Sequence, residues 1–278
     1  YFFDLIRNLK KNGVSIIFIS HALEEALEIS DRITIMRDGK LIISDDTVNF
    51  NRERIIRAMV GRDLSNTLYG KKETVRPAGK RVLSVQNLRM GTMVRNTSFS
   101  VFAGQITGVF GLIGSGRTET FKVVAGVIKR DYTHGGKVIF NDHPVRYRVP
   151  APAVAAGIAY ITEDRKVDGF FETMSISRNI YAGVLAKERL ERLLTSSSEE
   201  KKIGHDWRQK LNIRSVTAEA SVIELSGGNQ QKVVIAKSLI QNPRLVIFDE
   251  PTRGVDVGAV AEIHEIIRRL ADEGLAVV

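Results

Sequence analysis

The chain has 278 residues, and 43% of them are apolar, which is enough to build a folded core. It has no cysteine, so disulfides and cysteine-ligated zinc are excluded. Its net charge is +9, and much of that excess lies between residues 52 and 81, with nine basic and three acidic residues. Such a segment is typical of a solvated linker, although an anionic partner, lipid or nucleic acid, stays open. No run of 18 apolar residues occurs and no charged-then-apolar segment opens the chain, so we expect neither a membrane span nor a secretion leader.

The first fifty residues predict a helix, a strand, a second helix and a hairpin. Apolar residues at helical spacing in YFFDLIRNLKKNG predict an amphipathic helix that ends at Gly13. The run VSIIFIS predicts a buried strand, and HALEEALEIS predicts a second helix. The stretch RITIMRDGKLIIS alternates as two strands joined by Asp38-Gly39, a strong hairpin signal.

An internal repeat sets the predicted domain organisation. IRNLKKNGVSII, from Ile6, aligns without gaps on IRRLADEGLAVV, from Ile267. The repeat predicts the C-terminal part of one module at residues 1–50, a basic linker at 51–80 and a second module at 81–278. We expect this second module to stop before its own copy of the hairpin region, and the chain to be cut at both ends.

The second module shows an α/β order of elements. VLSVQNL and VFAGQITGVFG predict strands, the second running into a glycine loop that is followed by a helix from about residue 118 to 127. Residues 175–212 are mostly helical, and the helix NQQKVVIAKSLI precedes the strand RLVIFDE. This order predicts a mainly parallel sheet flanked by helices, with an antiparallel N-terminal part and a helical subdomain at about 172–240.

The glycine loop GLIGSGRT has the spacing of a phosphate-binding P-loop, Gly-x-x-x-x-Gly-Lys-Ser/Thr, with arginine where the lysine belongs. Glycines at this position let backbone N–H groups and a helix N-terminus approach a phosphate. Taken alone, three glycines in six residues fit a tight turn equally well. The candidate nucleotide-binding residues here are Gly111, Gly114, Ser115, Gly116, Arg117, Thr118 and Glu119.

The strand LVIFDE ends in two carboxylates. Asp249 is suited to hold Mg²⁺ through water, and Glu250 to orient or deprotonate an attacking water. A solvated strand end is the plain alternative for any Asp-Glu pair. The P-loop pattern upstream favours the catalytic interpretation.

The octapeptide LSGGNQQK is the most specific stretch of the chain. Ser226, Gly227 and Gly228 place a hydroxyl and bare amides at a helix start, which predicts a second anion cradle, and Gln230 completes the candidate set. Here the sequence resembles the ATP-binding cassette (ABC) family, whose signature is LSGGQ. The longer form is similar to the subclass that energises bacterial monosaccharide importers with two fused cassettes. The resemblance covers essentially the whole chain.

The resemblance implies a P-loop NTPase fold of ABC type with ATP and Mg²⁺ as cofactors. It places Glu163 at the Q-loop, Asp249 and Glu250 as the Walker B pair, and Asp256 in the D-loop. His21 matches the switch histidine of cassette one and would act with Glu250 as a catalytic residue, although a plain helix-start role is its alternative. The implied metal residues are Thr118, Asp249 and Glu163.

Three departures from the family pattern predict a degenerate site. Arg117 keeps the charge of the P-loop lysine but is planar and longer, Glu163 replaces a glutamine, and the stretch LRMGTMVRN offers no tyrosine to stack on adenine. We therefore expect this site to bind nucleotide and hydrolyse it poorly, with Glu250 keeping weak hydrolysis possible. The intact signature would complete the site of the other cassette.

The resemblance also implies partners. These are membrane permease subunits, indirectly a periplasmic sugar-binding protein, and a second cassette in a dimer, all at the cytoplasmic face of a bacterial inner membrane. The rival hypothesis is a non-transport cassette ATPase acting on ribosomes or DNA, supported by the basic segment alone. We expect no nucleic-acid partner.

Overall fold

A computed structural model describes residues 2–20, 23–37, 39–60, 75–188, 196–215 and 217–278. The chain divides into two compact units, one of residues 1–73 with 256–261 and the other of residues 74–255 with 262–278. Across these described ranges, no helix is both long and apolar enough to cross a bilayer.

The first unit is a small helix-and-hairpin structure. Its hairpin pairs two strands in antiparallel register, as predicted, and Asp38 of the turn lies outside the described residues. The core is formed by Leu23, Ile33, Ile35, Phe50, Ile55 and Ile56. The elements are α1 (Phe2–Lys11), α2 (Leu23–Ile29), β1 (Arg32–Arg37), β2 (Lys40–Asp46) and α3 (Arg52–Val60).

Two expectations for this unit are corrected. Residues 14–20 do not form a buried strand: Ile17 is 91% and Ile19 92% exposed, and no described strand pairs with them. A strand needs neighbours for its backbone groups, so β propensity alone did not suffice. Residues 52–60, expected in the basic linker, form α3 instead, because burial of Ile55 and Ile56 stabilises a helix whose charged residues stay in water.

The second unit begins with an antiparallel sheet. Leu83, Val85 and Leu88 of its longest strand are almost fully buried, which anchors the sheet on the main core. The strand order is β4-β3-β5-β6. The strands are β3 (Arg81–Met90), β4 (Val94–Phe102), β5 (Lys137–Phe140) and β6 (His143–Val145).

A parallel sheet lies at the centre of the α/β part. Its order is β7-β8-β9, and Ile106 forms an isolated parallel bridge to Val277 beside β9. The prediction that the strand VFAGQITGVFG runs into the glycine loop is wrong: β4 ends at Phe102, and a turn with Gly104 at φ +72° redirects the chain to a single bridge at Ile106. The strands are β7 (Ile158–Ile161), β8 (Leu245–Phe248) and β9 (Ala276–Val277).

Helices surround this sheet, which confirms the α/β prediction. α6 and α7 each begin at a serine whose hydroxyl accepts a backbone N–H three residues on, Ser175 from Arg178 and Ser196 from Glu199. Gly183 in α6 allows close packing on α8, and Gly204 in α7 allows close packing on α6. The helices are α4 (Arg117–Val124), α5 (Pro150–Ala156), α6 (Ile176–Lys187), α7 (Ser197–Lys210), α8 (Gly227–Leu239) and α9 (Val257–Asp272).

Candidate nucleotide-binding site

The glycine loop turns sharply into α4. Gly114 and Gly116 adopt left-handed backbone angles, with φ of +80° and +84°. A Cβ on Gly116 would lie 2.4 Å from the carbonyl oxygen of Met93, so only glycine fits there. The first amides of a helix have no acceptor within the helix, so the N-terminus of α4 is suited to an anion. Phosphate binding by this loop stays a prediction.

Thr118 and Asp249 meet across the site. Thr118 lies in the first turn of α4, and its Oγ1 donates to Oδ1 of Asp249 at 3.1 Å. Asp249 follows β8 directly, and its backbone N–H donates to the carbonyl oxygen of Ile161 in the neighbouring strand at 2.9 Å. Within the described residues no cluster of three His, Cys, Asp or Glu could hold a metal alone. A hydroxyl and a carboxylate instead fit Mg²⁺ that takes its other ligands from water and phosphate.

Tyr160 is a site residue that the sequence analysis missed. Its hydroxyl donates to Oδ2 of Asp249 at 2.6 Å, a short charge-assisted hydrogen bond. Burial, together with the hydrogen bond to Asp249, raises the pKa of Tyr160, so the phenol stays protonated. The sequence signal that could have identified Tyr160 was a hydroxyl near the carboxyl end of a parallel strand, next to the strand that leads to Asp249.

Arg117 is paired with Glu250. Nη1 of Arg117 lies 3.2 Å from Oε1 of Glu250, so the side chain in the P-loop lysine position contacts the proposed catalytic carboxylate. Glu250 has φ of +46°, a left-handed conformation that is strained for a residue with a side chain. Both residues line a cavity of about 200 Å³ together with Thr107, Phe121 and Asp249.

Glu163 is directed elsewhere. Its carboxylate is in an ion pair with the guanidinium of Arg253, and none of the described hydrogen bonds joins it to Thr118 or Asp249. The part of Glu163 in holding a metal or nucleotide stays a prediction. Its partner Arg253 was not singled out from the sequence.

The signature residues form the start of α8. Ser226 precedes the helix and accepts a hydrogen bond from Nδ2 of Asn229 at 2.9 Å. A Cβ on Gly227 would lie 2.7 Å from the carbonyl oxygen of Gly254, so this glycine permits close packing on the D-loop. Gln230 is only 6% exposed, so its side chain does not face solvent, and its nucleotide role stays a prediction.

Arg165 joins the segments around the signature, and the sequence analysis missed it too. Its Nη1 donates to the carbonyl of Arg253 at 2.6 Å and its Nη2 to the carbonyl of Gly254 at 2.9 Å. Its Nε donates to Oε1 of Gln230 at 3.4 Å. The planar fork of arginine suits such multiple donation, which a lysine could not reproduce.

The remaining predicted residues are placed as follows. Glu119 is half-buried in the first turn of α4, and Ser115 lies on the exposed loop, where its Oγ would be 2.6 Å from a Cβ on Gly111. Met93, in the region without an adenine-stacking tyrosine, is 57% exposed. Gly228 is buried at the start of α8. His21 lies outside the described residues, so its catalytic role stays a prediction.

Comparison with known proteins gives a consistent family assignment. A family model described as ABC transporter matches residues 94–253. The chain is 40% identical over 278 residues to a putative ribose/galactose/methyl galactoside import ATP-binding protein of Hahella chejuensis, covering 100% of the chain and 53% of the relative. It is 43% identical over 274 residues to the ribose import ATP-binding protein RbsA of Chelativorans sp., covering 99% and 53%. The chain thus spans about half the length of these curated relatives.

A solved structure shares the fold. The dimeric structure of a bacterial ABC transporter cassette superimposes with a TM-score of 0.60 at 20% identity, covering 70% of this chain and 86% of that one. At this identity the likeness establishes the fold alone.

Proposed function

This chain belongs to the ABC transporter family, and we propose on that premise that it is the ATP-binding part of a protein that powers monosaccharide import. The observation that carries the nucleotide assignment is the meeting of Thr118 with Asp249 and of Arg117 with Glu250 at the head of α4. Sugar import is supported by the names of the relatives, which cover ribose and galactose. Those names favour transport over an action on ribosomes or DNA.

The site residues then have distinct roles. The amides of the glycine loop would bind the phosphates, and Thr118 and Asp249 would hold Mg²⁺, which when bound neutralises phosphate charge during hydrolysis. Glu250 would orient or deprotonate the water. Because Arg117 already binds Glu250, a nucleotide has to separate this pair before Arg117 can contact phosphate and Glu250 can act on water.

We place the stronger hydrolytic activity at a different site. In this proposal the residues Ser226–Gly228 cover ATP held by another cassette, while the P-loop of this chain binds nucleotide and turns it over slowly. The contacts fit two separate tasks, since the P-loop pairs with Asp249 and Glu250, whereas the signature packs on Gly254 and Arg165.

The assembly is part of the same proposal. Import requires membrane permease subunits, a second cassette and a periplasmic sugar-binding protein, with this chain at the cytoplasmic face of a bacterial inner membrane. The likeness to a dimeric cassette supports the pairing of cassettes. Exposed apolar side chains at Val167, Phe171 and Met174 offer a contact surface for a permease within the predicted Q-loop region.

We expect the chain to bind an ATP analogue in the presence of Mg²⁺ and to hydrolyse ATP barely above background, well below about 1 per second. Asp249→Asn should remove most of the effect of Mg²⁺ on affinity, because it removes the carboxylate charge beside Thr118. Equilibrium fluorescence with methylanthraniloyl-ATP, with and without Mg²⁺, measures this. The matched control is Asp142→Asn, an aspartate paired with Lys80 outside the site. Turnover near 1 per second, or no nucleotide binding, contradicts the proposal.

Arg117→Lys should raise nucleotide affinity only in part. Lysine restores the compact charge that fits between β- and γ-phosphates, but Glu163 remains a carboxylate in the Q-loop position. Arg117→Lys/Glu163→Gln should bind more tightly than the single variant, since it also removes that negative charge. The same fluorescence titration compares the two. If the single variant already matches the double variant, Glu163 has no effect on the bound phosphates.

A further inference from the structure

We infer that Tyr160 is a positioning residue that holds the carboxylate of Asp249 in an orientation selective for Mg²⁺ over larger divalent cations. The inference rests on the proposed function, because it requires that this site bind a metal–nucleotide complex. It concerns a residue outside the P-loop, the signature and the Walker B pair.

The two carboxylate oxygens of Asp249 have different partners. Oδ1 accepts from the hydroxyl of Thr118 at 3.1 Å, and Oδ2 accepts from the hydroxyl of Tyr160 at 2.6 Å. The shorter bond lies on the side away from the P-loop threonine. Oδ2 is therefore held by Tyr160 of the neighbouring strand, and Oδ1 faces Thr118, the residue that would share the metal.

Tyr160 is held firmly enough to fix this orientation. It lies in β7, which pairs in parallel with β8, and Tyr160 itself is opposite Ile247, two residues before Asp249. Its ring packs against the main core, which limits its movement. The donor and the carboxylate thus belong to adjacent strands of one sheet.

This arrangement has a consequence for metal choice. Ca²⁺ accepts two oxygens of one carboxylate and a flexible shell, whereas Mg²⁺ demands a compact octahedron and keeps several waters. With Oδ2 engaged by Tyr160, Asp249 offers one oxygen to a metal or its water, which suits Mg²⁺. Without the phenol, the carboxylate is free to turn and to present both oxygens.

The test measures how much each cation strengthens nucleotide binding. In Tyr160→Phe, the increase in methylanthraniloyl-ATP affinity caused by Mg²⁺ should fall about tenfold, the lower end of the usual effect of removing a partner of a metal-binding carboxylate. The increase caused by Ca²⁺ should stay within about twofold, and so should the affinity measured in EDTA. Tyr147→Phe is the matched control, because Tyr147 is also partly buried against the same core.

Each result decides the inference. A selective loss of the Mg²⁺ effect supports it, whereas an equal loss with both cations shows that Tyr160 only stabilises the sheet and overturns it. Unchanged cation effects overturn it as well. A wild-type chain that binds nucleotide but ignores divalent cations overturns the inference alone, and one that binds no nucleotide overturns the proposed function together with it.

Discussion

Replacing Gly116 by alanine should lower the free energy of unfolding of the second unit by about 3 kcal/mol and remove detectable nucleotide binding. The left-handed backbone at φ +84° costs a residue with a side chain about 1 kcal/mol or more, and the new Cβ would lie 2.4 Å from the carbonyl oxygen of Met93. Relief of that clash requires the loop to move away from β4. The amides of the cradle then lose their alignment.

Gly114→Ala separates the cost of the left-handed backbone from the cost of the clash with Met93. Gly114 has nearly the same backbone angle, φ +80°, but a Cβ there would meet nothing within 4 Å. It should therefore show the backbone cost alone, about 1 kcal/mol. Urea unfolding followed by the fluorescence of Trp207, the one tryptophan of the chain, measures both variants. Equal losses for the two variants would mean that the contact with Met93 is easily relieved.

Gly183→Ala should destabilise the second unit by about 3 kcal/mol, although alanine is the better helix former. Gly183 lies in α6, where a Cβ would be 2.1 Å from the carbonyl oxygen of Lys237 in α8 and 2.6 Å from Cγ2 of Ile240. A helix backbone cannot yield as a flexible side chain can, so the two helices have to separate. Separation exposes buried residues such as Ile180 and Ile235.

Whether Gly183→Ala destabilises or stabilises the protein tests this prediction. Lysine and alanine have similar helix propensities, so Lys201→Ala at an exposed position of α7 should leave the urea midpoint nearly unchanged. Gly204→Ala should resemble Gly183→Ala, because its Cβ would lie 2.7 Å from the backbone Cα of Ser177. A Gly183→Ala chain as stable as wild type would show that α6 and α8 have room to shift.

The sequence predicted those parts of the fold in which local pattern and burial agree. Alternation in RITIMR and KLIIS marked the hairpin, and the buried run LVIF marked β8. Prediction was wrong for VSIIFIS, since a strand depends on neighbours that a local pattern does not reveal. It was also wrong at residues 52–60, where the basic charge concealed the buried pair Ile55 and Ile56.

The candidate site was predictable only where spacing encodes chemistry. Fixed spacing identified the glycine loop and the signature, and the end of an apolar strand identified Asp249 and Glu250. The partner of Tyr160 lies 89 residues away in sequence, and the partners of Arg165 lie 65 to 89 residues away. No local pattern could therefore connect these residues with their partners. The pairing of Arg117 with Glu250 likewise depends on how α4 and β8 meet.

The guanidinium of Arg165 limits how this molecule can move. It is bonded at once to α8 through Gln230 and to the main chain at Arg253 and Gly254, while Arg253 reaches back to Glu163. The segment that contains Arg165, the loop at Arg253 and Gly254, and α8 are thus connected through this one side chain. We therefore expect a displacement near Glu163 to be transmitted to the start of α8 at Gly227 through Arg253, Arg165 and Gln230.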